Sequence, residues 1–187
     1  PKPQNPKDLK KIFEFNKYLF VFLDQDWLIF GDLIKYKNSI YKLRRQRISK
    51  TTVLRTTIID DDCLSYKINT HTYFIDVDSD LPIISLVTDP PNLWDNETGI
   101  YVMGDNASDD HPNFGANFWQ DWEKPIHIEL FETNGDLAFK QDAGVKIFGG
   151  WSRAKAQKSF TIYARSEYGK NSIDYKIFPD KNIDSFE

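Results

Sequence analysis

Alternating apolar and polar residues stand on both sides of the dipeptide Asn134–Gly135. An alternation of period two is typical of a strand with one covered face, and an Asn-Gly pair between two such runs is a strong hairpin signal. The runs PIHIELFE and LAFKQDAGVKIF therefore predict two strands joined by a tight turn. A further alternating run, KSFTIYAR, follows a polar loop that begins at Gly149. These runs predict three or four strands and hence a mainly β fold for this part of the chain.

The first part of the chain is also rich in aromatic and β-branched residues. Strands are predicted over TTVLRTTII (51–59) and YKINTHTYFIDV, with the acidic stretch DDDC as a turn between them. The stretch from Lys11 to Leu43 favours strands, although a helix from Asp8 to Phe22 fits almost as well. Short strands at regular spacing indicate a small β-sandwich that ends near Val77.

The acidic and small residues from Asp76 to Asp80 predict a linker between two domains. After the linker, LPIISLVTD is a nearly continuous apolar run, which predicts a strand covered on both faces. PPNLWDNETGIYV predicts a proline-stiffened turn and then a short strand, and Gly104 to Ala116 predicts a long, polar, exposed loop. The predicted organisation is a linker at 1–10, a β-domain at 11–76 and a second domain at 81–187.

Composition limits the classes of function that are open to the chain. Of its 187 residues, 40% are hydrophobic and 15% aromatic, which is enough to bury a core, and the net charge is -4. The basic cluster Lys42–Arg47 has no interleaved aromatic residues, so no nucleic-acid partner is predicted. The single cysteine, Cys63, excludes an internal disulfide framework and a cysteine-based zinc site. Asp24, Asp26 and Asp32 interrupt the densest apolar stretch, which argues against a membrane-spanning helix.

The loop GGWSRAKAQKSF gathers chemical groups that suit a phosphate. Its two glycines, Gly149 and Gly150, permit backbone angles that are closed to other residues and allow a ligand to approach the backbone. The hydroxyl and basic side chains that follow them are Ser152, Arg153, Lys155 and Lys158. Backbone amides, a lysine and a forked guanidinium all favour an anion. The alternative is an ordinary hairpin loop with solvated charges.

Other groups of residues carry weaker signals. The loop DNASDDHPN (105–113) offers oxygen ligands for calcium, but it lacks the EF-hand spacing, so solvated acids are the favoured interpretation. His71, His111 and His127 lie far apart in sequence, so no metal site is predicted. Four tryptophans could form a sugar-stacking platform, although packing in the core is favoured in an aromatic-rich β-protein. They are Trp94, Trp119, Trp122 and Trp151.

Several longer stretches follow one another in a distinctive order along the chain. They are LPIISLVTDPPNLWDNETGIYVMG, NFWQDWEKPIHIELFE, GDLAFKQDAGVKIFGGWSRAKAQKSFTIYARSEYG and DYKIFPDKNIDSF. In this order they resemble the N-terminal half of the CotH family, the spore-coat-protein-H-like kinases, over residues 81–187. Upstream, ISKTTVLR and KINTHTYFID resemble the end of an immunoglobulin-like β-domain of the chitobiase C-terminal type, which often precedes this kinase domain.

The resemblance implies an atypical protein-kinase-like fold, which is mainly β over this chain and α+β in the intact protein. It assigns Lys158 to the lysine that opens a strand and meets the nucleotide phosphates. Gly149, Gly150, Ser152 and Arg153 correspond to the family's turn, with Arg153 a second candidate for holding phosphate or fixing a carboxylate. The intact enzyme would use ATP and magnesium to transfer the γ-phosphoryl group to a protein hydroxyl.

In the family, the acids that hold magnesium and orient the acceptor hydroxyl lie in a later, mostly helical part of the domain. The candidate acids of this chain stand in no context like those motifs. They are Asp142, Asp174, Asp180 and Asp184. The chain begins with proline and its only methionine is Met103, so we expect it to be a piece of a longer protein. Because the family's catalytic acids are not among its residues, we expect this piece to be inactive by itself.

The resemblance further implies a bacterial protein that is secreted or held at the cell surface, with a surface or spore-coat protein as its substrate. The alternative, from a different class, is a non-catalytic β-rich adhesion or glycan-binding module. Aromatic side chains on an exposed strand face would favour that alternative, whereas a groove lined by Lys158 and the Gly149 turn would favour the kinase.

Overall fold

The computed structural model describes residues 19–23, 26–28, 34–36, 39–41, 50–60, 63–64, 68–183 and 185–186. Side chains are described at 50–55 and 68–183. The chain forms two compact units. The first comprises Pro1–Ile83 and Phe131–Asp136, and the second comprises Ile84–Leu130 and Leu137–Glu187.

The described strands of the first unit form a five-stranded sheet and a separate ribbon. The strands are β1 (Leu19–Leu23), β2 (Asp26–Leu28), β3 (Ile34–Tyr36), β4 (Ser39–Tyr41), β5 (Thr52–Asp60), β6 (Cys63–Leu64) and β7 (Asn69–Tyr73). The sheet has the order β2-β1-β5-β6, with β7 also paired to β5, while β3 and β4 form the ribbon. The long strand β5 therefore organises the sheet, as expected of a run rich in threonine, valine and isoleucine.

Alternation along β7 shows which face of this strand is covered. Thr70 and Thr72 are buried, whereas Asn69 is exposed, in the period of two that a half-covered strand requires. Leu54 on β5 is also buried and stands opposite His71. Phe74 packs edge-on against Phe131, with 5.0 Å between ring centroids.

The strands of this unit bear on several of the predictions. Those over 51–59 and in the YKINTHTYFIDV stretch are confirmed by β5 and β7, and β1 to β4 confirm the preference for strands between Lys11 and Leu43. The alternative helix is wrong over 19–22, which lie in β1, and its part from 8 to 18 is outside the described residues. The predicted linker at 1–10, residues 61–62 of the predicted turn and the basic cluster at 42–47 are also outside them. The sandwich and the domain boundaries stay predictions.

A four-stranded sheet of order β11-β10-β9-β8 forms the frame for the second unit. Its strands are β8 (Ile83–Val87), β9 (Lys124–Phe131), β10 (Leu137–Phe148) and β11 (Ser159–Tyr163), and a short ribbon of β12 (Ile173–Asp174) and β13 (Ser185–Phe186) follows. The register of β10 and β11 places Ile147 opposite Phe160 and Phe148 opposite Ser159. The mainly β fold is therefore as predicted.

The predicted hairpin at Asn134–Gly135 joins β9 to β10. The Glu132 amide donates to the Asp136 carbonyl over 2.9 Å, and the Gly135 amide donates to the Glu132 carbonyl over 2.8 Å. Gly135 has φ +84°, a backbone conformation that favours glycine. The Asn134 side chain closes the turn by accepting from the Asp136 amide.

The core of the second unit comes from alternate residues of β9 and β10 and from the segments between β8 and β9. Ala143, Val145 and Ile147 of β10 are buried, as the period of two requires. The other buried members of this core are Ile100, Ala116, Phe118, Ile126 and Ile128. Phe118 belongs to a 3₁₀ turn, Asn117–Trp119, which carries the irregular segment back to the sheet.

The prediction that LPIISLVTD is a strand covered on both faces is half wrong. The strand β8 forms, but Ile84 and Leu86 are 53% and 39% exposed, while the residues between and beside them are half-buried. An apolar run does not show how many faces another layer covers. β8 also lies at the edge of the sheet.

The segment PPNLWDNETGIYV differs from its prediction. A five-residue helix, α1 (Pro90–Trp94), replaces the expected turn, with Pro at its first positions, where a missing backbone N–H costs nothing. The expected short strand is absent because the amides of Ile100 and Tyr101 donate back to the carbonyls of Asn92 and Leu93. The following loop, Gly104 to Ala116, is irregular as predicted, although Pro112 and Ala116 are buried.

The burial of the core residues predicts how much the free energy of unfolding falls when one of them is truncated. Replacing Ile128 by Ala should lower the free energy of unfolding by about 2–5 kcal/mol, because it removes buried methyl groups and leaves a cavity. The matched change Ile84→Ala, on the neighbouring strand, should cost less than about 0.5 kcal/mol because that side chain is mostly exposed. Urea denaturation of both variants measures the difference, and equal losses would contradict the assigned core.

Candidate phosphate-binding loop

The loop from Gly149 to Lys158 joins the ends of two paired strands, β10 and β11. The cross-strand pair Phe148 and Ser159 closes the loop at its base. Within the loop, Trp151–Ala154 forms a 3₁₀ turn, in which the Arg153 amide donates to the Gly150 carbonyl over 3.0 Å. The loop is thus a folded turn with its own hydrogen bonds.

The two glycines serve different needs of this turn. Gly149 has φ +114°, a backbone angle that favours glycine, and a Cβ atom there would displace the Ser152 hydroxyl group. A Cβ atom on Gly150 would meet nothing within 4 Å. The backbone at Gly150 therefore borders open space, from which a ligand can approach.

Arg153 connects the loop to the 3₁₀ turn at 117–119 by a hydrogen bond. Its Nε donates to the Gly149 carbonyl over 2.6 Å, and its Nη1 donates to the Trp119 carbonyl over 3.3 Å. The guanidinium group thus closes the glycine turn on itself and ties it to the 3₁₀ turn at 117–119. Its described contacts are with backbone carbonyls, whereas the sequence suggested phosphate or a carboxylate.

Lys158 lies at the other end of the loop and is half-buried. Its Nζ stands 4.0 Å from the centroid of the Phe118 ring and 5.3 Å from that of Tyr101, and it donates to the Lys155 carbonyl over 2.8 Å. Ring faces attract a cation but replace the water that would solvate it. Burial accordingly lowers the pKa of Lys158 below its ordinary value.

Tyr101 holds this end of the loop in place. Its hydroxyl oxygen accepts from the Lys158 amide over 3.0 Å, and the hydroxyl donates to the Ala156 carbonyl over 3.2 Å. The same ring lies next to Phe160 on β11, with centroids 5.8 Å apart. One tyrosine thereby fixes the backbone on which Lys158 is carried.

The structure thus places the candidate residues in two neighbouring parts of one loop. Gly149, Ser152 and Arg153 are in direct contact at its beginning, and Lys158 folds back onto Lys155 at its end. Both parts contact the 3₁₀ turn at 117–119. Arg153 donates a hydrogen bond to the Trp119 carbonyl, and the Lys158 ammonium group lies over the Phe118 ring. The arrangement offers open backbone at one end of the loop and a partly desolvated cation at the other.

A second charged cluster could not be predicted from a local sequence pattern. Arg165 donates from Nε and Nη2 to the two carboxylate oxygens of Glu123 over 2.9 and 3.1 Å. Lys146 Nζ lies 3.2 Å from Asp121 and 3.9 Å from Glu123. The hydrogen bond to Glu123 raises the pKa of Arg165, and burial raises the pKa of Tyr168 beside it to about 12. Because its cations already face carboxylates, this cluster suits a structural role better than anion binding.

The acids and histidines named from the sequence do not gather at one place within 50–55 and 68–183. Asp142 accepts a 2.6 Å hydrogen bond from His127, and Asp174 accepts one from Ser172. Asp180 is exposed, and Asp184 is outside the described residues. Within 50–55 and 68–183, no three His, Cys, Asp or Glu side chains are grouped so that they could hold a metal ion.

The expectation that the tryptophans pack in the core is largely wrong. Trp94, Trp122 and Trp151 are exposed, and Trp119 is half-buried. All four lie outside the strands: Trp94 in α1, Trp122 in the stretch before β9, and Trp119 and Trp151 in 3₁₀ turns. None of them therefore belongs to the alternate strand residues that form the core.

Comparisons with known proteins give no match for this chain: no family model, no curated protein and no solved structure matches it. In the part of the chain that the structure describes, no helix has both the length and the apolar character needed to cross a membrane.

The environment of Lys158 predicts its chemical reactivity. The pH dependence of its labelling by acetic anhydride should have a midpoint below 10.5, because burial favours the neutral amine. In urea the midpoint should return to the value of an ordinary lysine, and Lys155, which is exposed on the same loop, reports on reagent access. Peptide mass spectrometry measures both labels, and a Lys158 midpoint at or above 10.5 in the folded chain would contradict the geometry.

Proposed function

We propose that the Gly149–Lys158 loop binds the phosphates of a nucleotide, and that the second unit is the nucleotide-binding part of a CotH-like protein kinase. The observation that carries the proposal is half-buried Lys158, whose ammonium group lies over the Phe118 ring at the end of the loop that the glycine turn begins. The resemblance of residues 81–187 to the CotH family supplies the class of enzyme.

The environment of Lys158 favours an anionic ligand. Two ring faces and one carbonyl have replaced part of the water around its ammonium group, and a charge attracts an opposite charge more strongly where the local dielectric constant is lower. The present bond to the Lys155 carbonyl is charged on the donor side only, and a phosphate oxygen that replaced this carbonyl would bring a negative charge to the acceptor side as well. Lys155 itself is exposed and solvated, so it would gain less from the same contact.

The glycine turn complements the lysine. The open side of Gly150 lets an oxygen atom come close to the backbone, where amide groups can donate without a side chain in the way. Arg153 contributes by position, because its bonds to Gly149 and Trp119 keep the turn folded before a ligand arrives. A turn that is already ordered loses little conformational entropy on binding.

Magnesium and phosphoryl transfer are a separate part of the proposal. The described residues do not fit magnesium by themselves, since no three of the candidate metal-ligating side chains come together. The resemblance assigns the metal-holding and acceptor-orienting acids to a later part of the kinase domain. The remaining elements of the proposal are a protein hydroxyl as acceptor, a surface or spore-coat protein as substrate, and a secreted or cell-surface location in a bacterium.

The experiment compares two lysines of one loop. Lys158→Met should weaken ATP binding by about tenfold to a hundredfold, because a charge-assisted hydrogen bond contributes about 1.5–3 kcal/mol. Lys155→Met is the matched control and should change the dissociation constant by less than about twofold. Isothermal titration calorimetry measures the affinities, and melting temperatures show whether both variants are folded.

The sign of the pH dependence gives an independent check. Phosphate binding requires the ammonium form, so affinity should fall as the pH rises through the lowered pKa of Lys158. A folded Lys158→Met variant that binds ATP as tightly as the native chain would remove this residue from the site. A native chain that binds no ATP at millimolar concentration would refute the nucleotide site as a whole.

A further inference from the structure

Four aromatic side chains lie next to one another outside the sheet of the second unit. Trp119 and Phe114 have ring centroids 5.0 Å apart, Phe114 and Trp151 are 6.4 Å apart, and Trp151 and His111 are 5.9 Å apart. We call these four residues the aromatic row. They come from the loop at 104–116 and from the two 3₁₀ turns, so the fold gathers them from three segments.

The row is exposed to solvent in spite of its apolar character. Trp151 is 66% and Phe114 is 56% exposed, and His111 is exposed as well. Adjacent exposed aromatic rings commonly mark a binding surface, since isolated exposed apolar residues are normal but clusters of them are not. Trp119 anchors the row, because it is half-buried and its Nε1 donates to the Pro112 carbonyl over 2.9 Å.

The loop that carries half of the row is ordered by its own hydrogen bonds. The Ser108 amide donates to the Phe114 carbonyl over 2.8 Å, and Asn113 Nδ2 donates to the Ser108 carbonyl over 3.0 Å. Pro112 is buried beneath them. A ligand can therefore bind to rings that are already in position, with little loss of conformational entropy.

The charges beside the row select the class of ligand. Asp109 and Asp110 directly precede His111 and are exposed, and Lys155, on the same loop as Trp151, is exposed as well, so charges of both signs border the row and a ligand without net charge is favoured. Carboxylates accept hydrogen bonds from hydroxyl groups, and flat rings pack against the C–H face of a sugar. We propose that the aromatic row binds a neutral carbohydrate, with Trp151 as the main stacking surface and Asp109 and Asp110 as acceptors for its hydroxyl groups.

A basic peptide would also be attracted to aromatic rings and carboxylates, but the ring geometry favours a sugar. Neighbouring rings of the row are inclined to each other by 41°, 77° and 44°, in sequence along a surface. Sites that hold a cation between aromatic rings instead surround it with ring faces. The four rings form a chain of pairwise contacts and not a cage, so a pyranose ring would stack on the exposed face of a single ring, Trp151.

The experiment is native affinity electrophoresis of the full chain through gels that contain hydroxyethylcellulose, barley β-glucan, xylan or mannan. At least one of these neutral polysaccharides should retard the native chain, and Trp151→Ala should weaken the retardation at least tenfold. Trp94→Ala is the matched control, because Trp94 is 58% exposed and its ring contacts Tyr101, which is not part of the row. Lys158→Met should keep the retardation, so that loss of nucleotide binding and loss of carbohydrate binding are distinguishable.

Each other outcome overturns the proposal. No retardation by any of the four polysaccharides, or equal losses for Trp151→Ala and Trp94→Ala at unchanged melting temperature, would exclude the row as a carbohydrate site. Binding to polylysine without binding to polysaccharide would assign the row to a basic peptide. Self-association in analytical ultracentrifugation that Trp151→Ala abolishes, again without polysaccharide binding, would assign it to a second copy of the chain.

Discussion

Packing of alternate β9 and β10 side chains against Ile100, Ala116 and Phe118 is the interaction on which the second unit depends. It fixes the 3₁₀ turn at 117–119 against the sheet, and that turn supports both ends of the Gly149–Lys158 loop. The Trp119 carbonyl receives Arg153, and the Phe118 ring lies under the Lys158 ammonium group. The core therefore holds the Gly149–Lys158 loop in a conformation in which water cannot fully surround all of its basic side chains.

The support that the 3₁₀ turn at 117–119 gives to the loop explains how the candidate site can be basic and yet partly shielded from water. A hairpin loop with several cations would ordinarily extend them into water, where each contributes little. In this loop the chain turns one arginine inward to two carbonyls and lays one lysine over two aromatic rings. The remaining lysine, Lys155, stays exposed. The difference between Lys155 and Lys158 is the physical basis of the proposed phosphate site, and it comes from packing and not from the type of residue.

Local patterns in the sequence predicted most of the sheets. Strands and the Asn134–Gly135 hairpin could be predicted because alternation and turn preference are properties of neighbouring residues. The exposure of individual side chains could not be predicted in the same way. Whether another layer covers Ile84 or Trp151 depends on segments that are distant in sequence. The ion pair of Glu123 and Arg165 could not be predicted for the same reason, since the two residues are 42 positions apart in the sequence. The glycine turn was found from sequence, but the inward bonds of Arg153 and the ring faces around Lys158 required the fold.

Nuclear magnetic resonance of the ¹⁵N-labelled chain, titrated with ATP and separately with adenosine, tests the central claim most directly. We expect ATP to shift the amide resonances of Gly149–Ser152 and Lys158 most strongly, because those groups border the proposed phosphate position. Adenosine, which lacks phosphate, should leave these resonances unchanged. Shifts confined to residues outside the loop, or equal effects of ATP and adenosine on it, would contradict a phosphate site at the Gly149–Lys158 loop.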